Sequence, residues 1–209
     1  MKAIRRLDKV WVNTNDLRRL RHGEKLNCNI MNFFFHLLQK RDWLAVLGGV
    51  EKRSYNYDGV KRWHKDVDIF ELDRLFIPVN QEQAHWTFML VEIQSREIYY
   101  FDSMEDGGRY KDKCVETVTK FLQDEWRDKK GKISKFKWKV GKSKFGSVPQ
   151  QENGIDCGVF ACAFAESISR GRQSFGFKQE DITALRLQIA LSILDTEHFR
   201  RFFCRHLDV

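Results

Sequence analysis

The stretch VPQQENGIDCGVFACAFAE, residues 148–166, sets Cys157 between two glycines and ahead of an apolar run. A cysteine in that setting is a core thiol, a metal ligand or a nucleophile. A nucleophilic cysteine attacks as the thiolate, which is favoured at a helix N-terminus or beside an imidazole. The turn-like ENGID followed by CGVFACAFAESI puts Cys157 at such a terminus. Asp156 is expected to cap that helix by accepting a backbone N–H. A carboxylate beside a thiolate opposes ionisation, so a helix dipole and a histidine must outweigh it.

His85 is the histidine that fits, because it opens the strand-like run HWTFMLVEI after the polar loop NQEQA. His22, His36 and His64 lie in charged or helical stretches, and His198 and His206 lie in the C-terminal tail. An imidazole base needs a third group to fix its tautomer and orientation. Asp102 ends the next strand-like run, EIYYFDSM, so a hairpin brings it beside His85. An oxyanion needs donors. The Cys157 backbone N–H is one, and the side-chain amide of Gln150 or Gln151 is another. Taken singly these signals are weak, since a cysteine in an apolar helix is more often core than catalytic.

The elements that must position these groups are legible in outline. NTNDLRRL, 13–20, has a polar cap followed by leucines at helical spacing, and NIMNFFFHLLQKR, 29–41, reads as a deeply packed helix. Residues 47–63 are loop-like. The runs 85–93 and 97–104 form an antiparallel hairpin across QSR. KCVETVTKFLQDEW, 113–126, has helical periodicity, and ISKFKWKV, 133–140, alternates as a half-buried strand. CGVFACAFAESISR, 157–170, is a buried small-residue helix, and DITALRLQIALSIL, 181–194, is a final amphipathic helix. Helices at both ends around a hairpin-bearing sheet indicate an α+β fold.

Composition narrows the class. At 209 residues, with 42% hydrophobic residues and 2 prolines, the chain reads as one globular domain over 1–209. The net charge of +8 invites an anionic partner, but much of it lies in DKKGKISKFKWKVGKSKFG, 128–146. That segment reads first as a lysine-edged strand and loop that protects a sheet edge, ahead of a nucleic-acid site. The five cysteines include no C-x-x-C pair, which argues against a disulfide framework or a structural zinc site. No apolar run approaches the ~18 residues of a membrane span, and MKAIRRLDKV lacks the apolar centre of a signal peptide. A reduced, intracellular setting is expected, with no cofactor or metal.

The residues together resemble a known family, the ubiquitin-like-protein proteases, or SUMO (sentrin) specific cysteine peptidases. The resemblance rests on HW at 85–86, YFDSM at 100–104 and PQQENGIDCGVFAC at 149–162. It extends through WHKDVDIFELDRLFIPVN at 63–80, the DLRRL helix and LNCNIMNFF at 26–34, and so covers nearly the whole chain. It implies a papain-like α+β fold with a central mixed or antiparallel sheet flanked by helices. It implies Cys157 as nucleophile, His85 as general base and acid, Asp102 as orienting carboxylate, and Gln151 rather than Gln150 as oxyanion donor. Trp86 would wall a narrow tunnel for a Gly-Gly tail, and the glycines flanking Cys157 would let backbone pass close to that tail. The implied partner is a ubiquitin-like modifier, SUMO first, and its lysine conjugates. A monomer acting in the nucleus or cytoplasm is expected.

The chain departs from the family at Lys25, which stands where a second tunnel tryptophan is expected, and at Cys28, which replaces an aspartate. The departure leaves open a wider tunnel, a Lys25 contact to the tail or to an acidic patch, or a shifted loop with Trp11 or Trp43 filling the gap. It also keeps ubiquitin or another modifier as an alternative substrate. A non-catalytic module binding a modifier or nucleic acid is a further reading.

Overall fold

The computed structural model describes residues 4–41, 44–46, 55–61, 67–104, 108–133, 136–142 and 144–195. A small hairpin of β1 (Arg5–Leu7) and β2 (Val10–Val12), not anticipated above, precedes α1 (Thr14–Arg18). The side chain of Asn13 accepts from the N–H groups of Asn15 and Asp16, and Asp16 accepts from the Asn13 N–H, closing a capping box. Asp16 also accepts from Asn27 and Asn29, which fastens α1 to the start of α2 (Cys28–Arg41).

The central sheet has five strands in the order β3 (Leu44–Val46), β4 (Arg74–Gln81), β5 (His85–Glu92), β6 (Glu97–Phe101), β7 (Lys139–Val140). The two outer pairings are parallel and the two inner ones antiparallel, so the sheet is mixed. The expected hairpin is β5–β6, with Phe88 opposite Phe101. No strand was expected over 74–81. RLFIPVNQ is buried on both faces, so it reads as a continuous apolar run without alternation, and it carries Pro78. Pairing with the short β3 stops at Phe76, before that proline.

Strand alternation splits the core between two layers. Phe76, Trp86, Phe88, Leu90 and Phe101 face α2, α5 (Cys157–Ser169) and α6 (Ile182–Leu194). Leu75, Ile77, Met89, Val91 and Ile98 face α4 (Gly108–Lys130), which spans more than the expected 113–126. Residues 47–63 are described only over 55–61, where Tyr57–Val60 forms the short α3 in place of a loop. The expected strand 133–140 shrinks to β7. Its alternating aromatics pack instead on α4, with Phe136 lying 4.8 Å from Trp126 and 5.9 Å from Trp138. β7 is exposed and lies at the sheet edge, so its Lys139 does border that edge. α6 is not amphipathic as expected. Leu187 and Leu191 face solvent while Arg186 and Ser192 are buried.

Candidate functional site

An antiparallel hairpin brings the start of one strand and the end of the other to the same edge. His85 opens β5, and Asp102 follows β6 by one residue. Their side chains meet, with His85 Nε2 2.7 Å from Asp102 Oδ1. Both groups are largely shielded, with side-chain exposures of 17% and 6%. Burial disfavours a charged imidazole. The hydrogen bonds to Asp102 and Cys157, and the charges of both, outweigh it and push His85 up to about 9. At neutral pH the ring carries both protons. A ring holding both protons gives Nε2–H to Asp102 and has Nδ1–H left for a second partner.

Cys157 is 1% exposed and is the first residue of α5. The helix forms there because small and apolar residues fill it, and eleven of its residues are buried between the sheet and the outer helices. The first-turn N–H groups of Cys157 and Gly158 have no intrahelical acceptor, so the terminus can receive an anion. Asp156 does not cap this helix with its side chain, contrary to expectation. Its carboxylate is drawn away by Arg186 Nη2 at 2.6 Å, Asn153 Nδ2 at 2.6 Å and Gln179 Nε2 at 2.9 Å. Burial opposes its charge, but those donors prevail and hold its pKa below the usual value. The concern that this carboxylate opposes a thiolate is thereby eased, because its charge is matched by Arg186.

The two glutamines divide. Gln151 is tied to Ser103 twice, by its N–H to the Ser103 carbonyl at 2.7 Å and by Ser103 Oγ to its Oε1 at 2.6 Å. Its Nε2 donates to the Asn153 carbonyl, and a primary amide has a second N–H to offer. Gln150 Nε2 donates to the carbonyls of Asp102 and Val148, each at 3.1 Å, so its amide braces the loop.

The Trp86 indole is 6% exposed, and its Nε1 donates to the Leu26 carbonyl at 3.1 Å. Lys25 Nζ donates to the Ala84 carbonyl at 3.2 Å and remains exposed. The 25–26 segment therefore lies directly against the strand that bears His85 and Trp86, and the loop is not displaced from it. Trp11 is 43% exposed on β2, and Trp43 lies outside the described residues. One of the two glycines beside Cys157 has a packing reason within the fold. A Cβ on Gly158 would stand 2.9 Å from the Cβ of Leu26, while one on Gly154 would meet nothing within 4 Å. Gly158 is thus required by the packing of Leu26.

Three contributors escaped the sequence reading. Tyr100 donates its hydroxyl to Asp102 Oδ2 at 2.9 Å and accepts from Gln81 Nε2 at 2.7 Å. Burial, and then the charge of Asp102, raise the Tyr100 pKa, so it stays a donor. Its position two residues from Asp102 was a usable signal, because alternate strand residues share a face. Ser103 and Arg186 had no such signal. Cys162 is the buried thiol that was expected, 1% exposed with its Sγ 3.6 Å from Met31 Sδ. Among the described residues no group of His, Cys, Asp and Glu could hold a metal ion.

Residues 10–200 match the model of the Ulp1 protease family, C-terminal catalytic domain. The chain belongs to the Ulp1 protease family. Within it, human sentrin-specific protease 2 is 28% identical over 196 residues, which is 89% of this chain and 32% of that protein. Mouse sentrin-specific protease 5 is 32% identical over 206 residues, 96% of this chain and 26% of that one. This Ulp1-family chain thus spans about a third or less of the curated relatives' length. The C-terminal Ulp1 protease domain in complex with Smt3, the yeast ortholog of SUMO, superposes with a TM-score of 0.79 at 25% identity, covering 92% of this chain and 87% of that one. The α+β arrangement is accordingly the Ulp1 fold. Another Ulp1 structure has its catalytic cysteine oxidised to a sulfenic acid.

Proposed function

We propose that this chain is a single catalytic domain, a thiol protease and isopeptidase that cleaves after the C-terminal Gly-Gly of a ubiquitin-like modifier, SUMO first. The observation that carries the reading is the His85–Asp102 hydrogen bond, with Cys157 also raising the pKa of the same imidazole. Membership of the Ulp1 family and likeness to sentrin-specific proteases support the substrate class.

In this reading Cys157 is the nucleophile and attacks as the thiolate while His85 holds a proton. The Cys157 sulfur attacks the glycine carbonyl carbon. The oxyanion that forms accepts from the Cys157 N–H and from the free N–H of Gln151. As the tetrahedral state collapses, His85 passes its proton to the departing lysine amine and the C–N bond breaks. Water then loses a proton to His85 and attacks the thioester, and the sulfur leaves as thiolate. Asp102 holds the imidazole throughout, and Tyr100 holds Asp102. Trp86 and Lys25 flank the approach to the nucleophile and contact the tail. Such conjugates and a reduced thiol belong inside the cell, and action in the nucleus or cytoplasm is part of the proposal.

Lys25, in place of an indole, favours a second reading in which the same chemistry serves ubiquitin or another modifier. A panel of modifiers bearing a C-terminal electrophile separates these readings. A SUMO adduct that vanishes in Cys157→Ala is expected. Labelling by ubiquitin alone would end the SUMO reading. Absence of any adduct, or one that survives Cys157→Ala, would end the proposal.

A further inference from the structure

Arg186 lies on α6, a helix whose polarity is partly reversed. Leu187 is 60% exposed and Leu191 56%, while Arg186 is 3% exposed. Its guanidinium meets four acceptors. Nη2 lies 2.6 Å from Asp156 Oδ1 and 2.7 Å from the Glu24 carbonyl. Nη1 lies 3.0 Å from the Arg21 carbonyl and 3.2 Å from the Arg19 carbonyl. Desolvating an arginine is costly, and replacing a buried ion pair with apolar residues is often neutral or stabilising. Fold stability alone therefore gives no reason for this arrangement. Its two ends suggest one.

At one end is Asp156, the residue before Cys157, whose carbonyl accepts the N–H groups of Val159 and Phe160 in the first turn of α5. At the other end is segment 19–24, which runs directly into Lys25 and Leu26. Those two residues bond the Ala84 carbonyl and the Trp86 indole on either side of His85. Leu26 also packs on Gly158. One planar fork thus fastens the start of the nucleophile's helix to the segment that flanks the histidine's strand.

We propose that Arg186 is a positioning residue that fixes the gap between the Cys157 helix start and the 24–26 wall, and so sets how firmly a substrate tail is held beside the nucleophile. It does this without touching the reacting atoms. The inference deepens the proposed function and depends on it only for the turnover readout.

The test compares Arg186→Gln with Ile193→Ala, a fully buried core truncation on the same helix, both assayed well below their unfolding midpoints. In Arg186→Gln, amide hydrogen exchange over residues 19–26 is expected to quicken about tenfold. The kcat/KM for a modifier C-terminal amide is expected to fall about tenfold or more, mainly through KM. Alkylation of Cys157 by chloroacetamide, a reagent too small to need the wall, is expected to change less than about threefold, followed by peptide mapping. Ile193→Ala is expected to show none of these local effects. Equal quickening over 19–26 in both variants would overturn the inference. So would unchanged exchange and turnover in Arg186→Gln, or alkylation falling as far as kcat/KM. Should Arg186→Gln not fold, Arg186→Lys keeps a charge for Asp156 but loses the fork, and the same pattern is expected at smaller amplitude, with the same contrary results. If the wild type cleaves no modifier, the proposed function fails, while exchange and alkylation still decide the role of Arg186.

Discussion

Asp102→Asn isolates one charge at the site. Asp102 Oδ1 accepts from His85 Nε2 at 2.7 Å and from the Met104 N–H at 3.0 Å, and Oδ2 accepts the Tyr100 hydroxyl at 2.9 Å. The Met104 N–H needs an acceptor, so the asparagine oxygen takes the Oδ1 place and its amide faces Tyr100, whose hydroxyl turns to accept. His85 then keeps its acceptor and its tautomer, while the charge and the hydrogen bond donated by Tyr100 are lost. Burial pulls the His85 pKa below 6.5, and the bond to Asp102 is the largest of the contributions that carry it to about 9 instead. At ~1.36 kcal/mol per pH unit that rise is on the order of 3 kcal/mol, of which the carboxylate charge supplies on the order of 1–2. The alkaline limb of kcat/KM should therefore move down from pH about 9 by about one unit. Near neutrality the rate should fall about fivefold to thirtyfold. This is well short of the ~10⁴ seen in a serine protease when the same substitution leaves the wrong tautomer. Stability has a matching sign. The folded pKa of His85 lies above its unfolded value, so its contribution is complete below pH about 6.5 and is lost as pH rises through about 9. In the variant that loss comes earlier. Rate profiles on a fluorogenic modifier amide, with urea unfolding at several pH values across that range, measure both. An alkaline limb at the same pH in both proteins, or an undiminished rate, would refute the electrostatic role. A ~10⁴ loss would refute the anchoring by Met104.

Gly158→Ala should destabilise the protein by up to about 2 kcal/mol in urea unfolding. Overpacking against the Leu26 Cβ, 2.9 Å away, costs about 1–3 kcal/mol and exceeds the roughly 1 kcal/mol gained in helix propensity. Ser103→Ala frees the Gln151 oxygen and should lower kcat severalfold with KM unchanged, as loss of about 1 kcal/mol of oxyanion positioning requires. Lys25→Ala should leave stability within about 0.5 kcal/mol, because the side chain is exposed, while raising KM for the modifier tail. Phe88→Ala should cost about 3–5 kcal/mol, since Phe88 is fully buried against Phe35, Phe76 and Phe101.

Much of the site was legible because it lies on local, strongly patterned elements. The His85 strand, the Asp102 turn and the Cys157 helix each announce themselves in period and composition, and an antiparallel hairpin needs no long-range information to bring its ends together. What escaped was held by distant partners. β4 hid because burial on both faces erases alternation. Arg186 hid because an arginine in an apolar helix reads as its solvent face, and its partners at 19–24 and 156 lie more than a hundred and just thirty residues away. Asp156 looked like a helix cap until the fold supplied that arginine. The lysine-rich segment looked like a long strand because Phe136 and Trp138 alternate with lysines, but those rings pack on α4. Gln150 and Gln151 could not be separated by residue type, and Ser103 supplies the contact that distinguishes them.

In the proposed function Cys157, served by His85, cleaves after the Gly-Gly of a modifier. Mass spectrometry of the products from a SUMO–lysine isopeptide conjugate, incubated with the wild type and with Cys157→Ala, tests it most directly. The wild type should release SUMO ending in Gly-Gly together with the intact lysine amine, and Cys157→Ala should release neither. An uncut conjugate, a cut at another bond, or equal cleavage by Cys157→Ala would contradict the account.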